Sequence, residues 1–88
     1  LPYSFDLCRT HVDQLVLVSD LQLRTSMGLL FQKMKLAVEP ACAASTAALF
    51  GPLRQSLRGQ TVVLVFCGSN IDWPTYAQQA ILEHDYAA

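Results

Sequence analysis

The sequence predicts an α/β fold, a parallel sheet flanked by helices, and three observations carry that prediction. Thr61 to Phe66 reads TVVLVF, an apolar and β-branched run without polar alternation. That pattern belongs to a parallel strand covered on both faces. Gln14 to Val18, QLVLV, is a second compact β-rich run. Around these runs lie stretches with helical spacing and capping residues. The expected order is helix, strand, helix, buried helix, strand, helix, the alternation of an α/β protein.

Each element has a local reason. In PYSFDLCRTHV, Ser4 is placed to cap a short helix from Phe5 to His11. After the first strand, Ser19 opens SDLQ, a capping box in which Gln22 reciprocates. A helix then runs from Asp20 to Met34. Leu23, Met27, Leu30, Phe31 and Met34 recur at helical spacing and define its buried face. Gly28 weakens its middle by up to about 1 kcal/mol relative to Ala. Lys33 and Lys35 are charges at its C-terminal end, where the helix dipole favours cations. Pro40 suits the first turn of the next helix, Pro40 to Phe50, and Glu39 sets a carboxylate beside the positive end of its dipole. This helix is small and apolar nearly all round, so burial on every side is expected. Gly51 ends it, Pro52 starts a helical piece reaching Leu57, and Gly59 punctuates. Asp72 caps a final helix from Trp73 to His84, with Pro74 in its first turn. Trp73 and Tyr76 are expected as packing anchors.

Composition bounds the partners. The chain has 88 residues, 52% hydrophobic and only 15% charged, against about 25% charged in typical domains. A small domain has a high surface-to-volume ratio and should need more polar surface, not less. The two-sided strand and the buried helix likewise have too few neighbours here to be covered. The chain is therefore expected to be incomplete on its own, one segment with no repeat or linker. A net charge of −1 offers no electrostatic case for nucleic acid or an anionic membrane. No apolar run approaches the ~20 residues of a membrane span. Cys8, Cys42 and Cys67 form no CxxC motif and are odd in number, so they read as reduced thiols of a cytoplasmic protein. His11 and His84 have no cluster around them, and no metal site is expected.

The stretch most open to a ligand is VVLVFCGSNID, Val62 to Asp72. Open α/β sheets bind ligands beyond the carboxyl ends of their strands. Gly68 allows a sharp turn and a close backbone approach. Cys67, Ser69 and Asn70 offer neutral groups that donate and accept. Such a set suits a heteroaromatic nitrogen or a carboxylate. It equally suits a buried small residue followed by a capped turn.

VEPACAAS, Val38 to Ser45, followed by VVLVFCGSNID resembles the C-terminal portion of the threonine/serine dehydratases. These are fold-type II pyridoxal-phosphate enzymes and relatives of serine racemase. The family shows a V-E-P-A-G-A-A-like segment, then a strand ending in S-G-G-N or C-G-x-N, often followed by I/V-D. LCRTHVDQLVLVSD resembles the family's approach to this region, so the resemblance covers essentially the whole chain. It implies that residues 1–88 are the C-terminal segment of the cofactor-binding large domain. The implied cofactor is pyridoxal 5'-phosphate, and the implied substrate is a small hydroxy amino acid, L-threonine or L-serine. The products would be a 2-oxo acid and ammonia, and the partners the remainder of the enzyme and further copies of it.

Carried over residue by residue, Cys67 matches the Ser or Cys that faces the pyridine nitrogen. Gly68, Ser69 and Asn70 complete that motif, and Glu39 lies near the ring. A neutral thiol does not force a proton onto the ring nitrogen, which leaves a moderate electron sink suited to eliminating a β-hydroxyl. Glu39 also reads simply as a helix N-terminal carboxylate. Two positions depart from the family pattern. Cys42 stands where glycine is usual in E-P-A-G-A, and Ser69 stands at the second glycine of S-G-G-N. The family's cofactor-bearing lysine and glycine-rich phosphate loop have no match in Lys33, Lys35 or four isolated glycines. Both are expected upstream, no catalytic residue is expected within the chain, and the chain alone is expected to be inactive. Two other readings stay open: serine racemase or another fold-type II lyase or synthase, and a stand-alone α/β interaction module that dimerises through its apolar faces.

Overall fold

Helix capping in this chain is local and follows the sequence closely. A computed structural model describes residues 2–81. Among them are four helices: α1 Pro2–His11, α2 Asp20–Met34, α3 Ala44–Phe50 and α4 Trp73–Gln79. Ser19 Oγ accepts the Gln22 N–H at 3.0 Å, and Gln22 Oε1 accepts the Ser19 N–H at 2.8 Å. The expected capping box is therefore complete, and α2 has its expected bounds. It ends at Lys35, whose left-handed backbone (φ 59°) turns its N–H back to Leu30 and Phe31. Lys35 Nζ also donates to the Gln32 carbonyl at 3.1 Å. Both lysines thus serve the helix end, as expected.

Burial corrects the expected stripe on α2. Ser26, Met27, Gly28, Leu29 and Leu30 are buried consecutively, so the middle of the helix is enclosed on all sides. Phe31 and Met34, expected inside, are exposed. α1 begins at Pro2, so Ser4 lies within the helix and does not cap it. The ring-fixed φ of proline suits a first turn, which makes Pro2 the better start. None of α1 is buried.

The segment after Glu39 differs from the expected helix. Cys42, Ala43 and Ala44 donate to the carbonyls three residues back, at 3.0, 3.0 and 3.3 Å. These tight turns occupy Pro40–Ala43, and α3 starts only at Ala44. Cys42, Ala43, Thr46 and Ala47 are buried, whereas Ala44, Ser45, Ala48 and Leu49 are half-buried. The helix buries one face and not every side. Gly51 ends it as expected. Residues 51–59 form turns in place of the expected helical piece. Gly59 closes them with φ 78°, a conformation that favours glycine.

The sheet is the part of the expected fold that the described residues do not contain: none of them is paired as a strand. The expected runs nevertheless carry the two-residue burial period of a pleated strand. Val62, Leu64 and Phe66 are half-buried, while Val63 and Val65 are 85% and 68% exposed. Val16 and Val18 are half-buried, while Leu15 and Leu17 are 87% and 93% exposed. A strand is defined by hydrogen bonds to a neighbour, and among the described residues these runs have no ladder partner. They are covered on one face, not on both.

The core is Met27, Leu30, Val38, Cys42, Ala43 and Tyr76, with Phe66, Ile71 and Ala80 packed against it. It sits where α2, the turns before α3 and α4 meet. Asp72 caps α4 as expected, its Oδ1 accepting the Thr75 N–H at 2.9 Å. The helix ends at Gln79, short of the expected His84, because Ala80 turns to an extended backbone. Residues 82–84, with His84, lie outside the described residues. Tyr76 is the expected anchor, but Trp73 is 70% exposed. Among the described residues no helix is long and apolar enough to cross a membrane. No three His, Cys, Asp or Glu residues gather there as a metal site would require.

Candidate functional site

The fold brings together Glu39 and Gly68, which are far apart in sequence. The Glu39 N–H donates to the Gly68 carbonyl at 3.2 Å. The Glu39 side chain, half-buried, lies in the space where any other residue at position 68 would carry its side chain. A Cβ built on Gly68 clashes with Glu39 Oε1 and lies 2.8 Å from Cδ and 3.0 Å from Cγ. Among the described residues Gly59 is the one glycine with positive φ. The constraint on Gly68 is thus the packed Glu39 side chain, not a backbone conformation that favours glycine.

Residues 67–70 form a polar bridge between two core anchors. Phe66 and Ile71 both pack against the core. Between them Cys67, Ser69 and Asn70 are exposed, and Cys67 is a free thiol. The Ile71 N–H donates to the Ser69 carbonyl at 2.9 Å, a tight turn that leads directly into the Asp72 cap. The Thr75 N–H, and after it the Thr75 hydroxyl, holds the Asp72 carboxyl below its usual range. All five expected site residues therefore lie on two adjoining segments, Glu39 on one and Cys67, Gly68, Ser69 and Asn70 on the other. The set is one carboxylate with three neutral donor–acceptor groups, and it contains no cation.

Cys42, the departure from the family's glycine, is buried in the core with Met27, Leu30 and Tyr76. Its side chain is accommodated in the packing between elements. A cavity of about 380 Å³ between α2, α3 and the Thr61–Phe66 run is lined by Leu29, Met34, Leu49, Leu64 and Phe66. It includes none of the five site residues.

The model of the family "Pyridoxal-phosphate dependent enzyme" matches residues 1–68. The chain belongs to the pyridoxal-phosphate dependent enzymes. It is 54% identical over 76 residues to phenylserine dehydratase of Ralstonia pickettii, covering 86% of this chain and 23% of that protein. It is 39% identical over 75 residues to L-threo-3-hydroxyaspartate ammonia-lyase of a Pseudomonas species, covering 85% and 23%. It is 37% identical over 76 residues to the catabolic L-threonine dehydratase TdcB of Escherichia coli K12, again covering 85% and 23%. The chain thus spans about a quarter of the length of these relatives. No solved structure gave a significant match. As a member of the pyridoxal-phosphate dependent enzymes, the chain has pyridoxal phosphate as its cofactor.

Sequence reasoning missed three contacts that shape the site. Ser45 Oγ on α3 donates to the Val65 carbonyl at 3.3 Å, steadying the run that leads into Cys67. Tyr76 Oη donates to the Met27 carbonyl at 3.3 Å. Arg24 Nε on α2 donates to the Gln79 carbonyl at 2.8 Å. All three acceptors are backbone carbonyls, which have no residue-type signature. An arginine within an otherwise uncharged stretch of α2 was the only available hint.

Proposed function

We propose that residues 1–88 are the C-terminal segment of the cofactor-binding domain of an ammonia-lyase acting on 2-amino-3-hydroxy acids. The substrate is L-threonine, L-serine or a 3-aryl analogue, and the products are a 2-oxo acid and ammonia. The observation that carries this reading is the lodging of Glu39 on Gly68, directly beside the exposed Cys67, Ser69 and Asn70. The names of the relatives support the substrate class, since they act on phenylserine, 3-hydroxyaspartate and threonine.

The residues present fit the ring end of pyridoxal phosphate. The cofactor, when bound, supplies an electron sink for the charge left as the substrate's α-proton departs. Cys67 would meet the ring nitrogen with a neutral thiol, which can donate without imposing a full negative charge. Gly68 leaves room for the Glu39 side chain to lie against the backbone beside Cys67, which would set a carboxylate next to the thiol that meets the ring. Asn70 would donate and accept at the loop's far end, and Glu39 would supply a carboxylate beside Gly68. The attachment lysine and phosphate-binding loop come from further polypeptide of the same enzyme. The exposed apolar side chains of Leu15 and Leu17 on one run and Val63 and Val65 on the other support covering by that polypeptide or by another copy, since exposed apolar surface marks interaction sites when it is extensive. Three free thiols, two of them exposed, support a reducing compartment, the cytoplasm.

The test is to isolate the polypeptide carrying residues 1–88 from its source cell and measure three things. These are its intact mass, its visible cofactor absorbance, and 2-oxo acid release from L-threonine, L-serine and phenylserine. The expected result is a mass several-fold above 9.7 kDa, bound cofactor, and release from at least one substrate. No absorbance and no 2-oxo acid would overturn the reading. Chiral inversion without 2-oxo acid would move the reaction to racemisation.

A further inference from the structure

The Cys67–Asn70 loop is held on two sides. Upstream, Phe66 packs on the core and the Gly68 carbonyl accepts the Glu39 N–H. Downstream, the chain enters α4 three residues after Asn70, and α4 has only 7 residues. A helix that short is marginal by itself in water, so contacts with other elements must set its direction. Those contacts run to α2. Tyr76, in the middle of α4, donates to the Met27 carbonyl. Near the start of α2, Arg24 Nε donates to the Gln79 carbonyl at 2.8 Å and Nη2 faces the Gln78 carbonyl at 3.4 Å. In return the Arg24 carbonyl accepts the Ile81 N–H at 3.1 Å.

Gln78 and Gln79 are the last residues of α4. Carbonyls at a helix end lack intrahelical partners, and Arg24 meets them with two donors from one edge of its guanidinium. That edge is planar and rigid, so it sets the direction of the helix end as well as its distance. A charged donor also makes these bonds stronger than neutral ones. We propose that Arg24 is a positioning residue. By clamping the end of α4 to α2, it fixes where Ser69 and Asn70 stand relative to Glu39. It touches neither cofactor nor substrate. The inference rests on the reading that this loop holds the cofactor ring.

The test uses the intact polypeptide as wild type, Arg24→Ala and Arg24→Lys, with pyridoxal phosphate as the probe. Three readouts are taken: amide hydrogen exchange across Ile71–Ile81, the dissociation constant of the cofactor, and the visible circular dichroism of the loaded protein. Arg24→Ala should speed exchange at the end of α4 and weaken the cofactor dichroism. It should also raise the dissociation constant about tenfold, the equivalent of one hydrogen bond to a charged donor. Arg24→Lys keeps the charge and loses the fork, so it should fall between the two. It also carries the test should Arg24→Ala fail to fold. Faster exchange with unchanged affinity and dichroism would overturn the proposal, leaving Arg24 a purely structural clamp. Unchanged exchange would overturn the clamp itself. A wild type that does not take up pyridoxal phosphate would instead overturn the reading of the loop beneath it.

Discussion

Replacing Gly68 with Ala should disturb the site through one neighbour, Glu39. The added Cβ would clash with Glu39 Oε1 and lie 2.8 Å from Cδ and 3.0 Å from Cγ. A carboxylate tip can swing aside cheaply, but Cγ belongs to the stem. The two backbones are also tied by the Glu39 N–H to Gly68 carbonyl bond at 3.2 Å. Relief therefore needs a rotamer change, a backbone shift, or both. Overpacking of this kind typically costs about 1–3 kcal/mol. The assay is a double-mutant cycle by urea unfolding, with Gly68→Ala, Glu39→Ala and the double variant. Glu39→Ala deletes all three crowding atoms, so most of the Gly68→Ala cost should vanish in that background. The expected coupling is about 1 kcal/mol or more, within the range for residues in contact. Costs that add to within about 0.5 kcal/mol, the scatter of independent sites, would refute the claim that Glu39 imposes glycine at position 68.

Other outcomes follow from single side chains. Cys67→Ser should keep cofactor absorbance, because a hydroxyl replaces the thiol as a neutral donor. Cys67→Asp should favour a protonated ring nitrogen and slow elimination, and an unchanged turnover number would refute that role. Burial raises the Tyr76 phenol above its usual value, about 10. Its folded value thus exceeds the unfolded one, so its stabilisation is complete below pH about 10 and is lost as pH rises through the folded value. Tyr76→Phe should flatten that alkaline loss in unfolding measurements. It should also cost about 0.5–1.5 kcal/mol at neutral pH for the lost hydrogen bond to Met27. Asp72 has the opposite sign: its carboxyl is lowered by the Thr75 N–H. Its stabilisation is complete above the ordinary Asp value and is lost as pH falls through the lower folded one. Asp72→Ala should remove that acid-side dependence and speed amide exchange in the first turn of α4.

Much of the local structure was legible in the sequence. Ser19 with Gln22, Asp72 before Trp73, and Gly59 after the turns all act within three residues of themselves. Their hydrogen bonds follow from neighbouring side chains whatever the rest of the chain does. The polar end of VVLVFCGSNID was legible as a turn leading into the Asp72 cap, and Cys67, Ser69 and Asn70 are exposed there. Starts governed by competing local options were less so. Ser4 lost to Pro2, and the turns at Pro40–Ala43 delayed α3 although proline tolerates a helical first turn. The stripe on α2 failed because periodicity shows which side chains prefer burial, not how far neighbours wrap around a helix.

The sequence by itself determined the caps at Ser19 and Asp72, the left-handed turn at Gly59, the two β-rich runs and the identity of the residues that follow Phe66. Tertiary structure alone decided that Glu39 lies against Gly68, that Cys42 packs inward beside Tyr76, and that Arg24 grips the end of α4. The physical reason is range. A cap is settled by residues already adjacent along the chain, whereas these contacts form only once α2, the turns before α3 and α4 share a core. Pairing of the β-rich runs sits at the far end of that scale. A ladder is made by two strands together, and burial at a period of two on Val62, Leu64 and Phe66 is as much of a strand as one run can express alone.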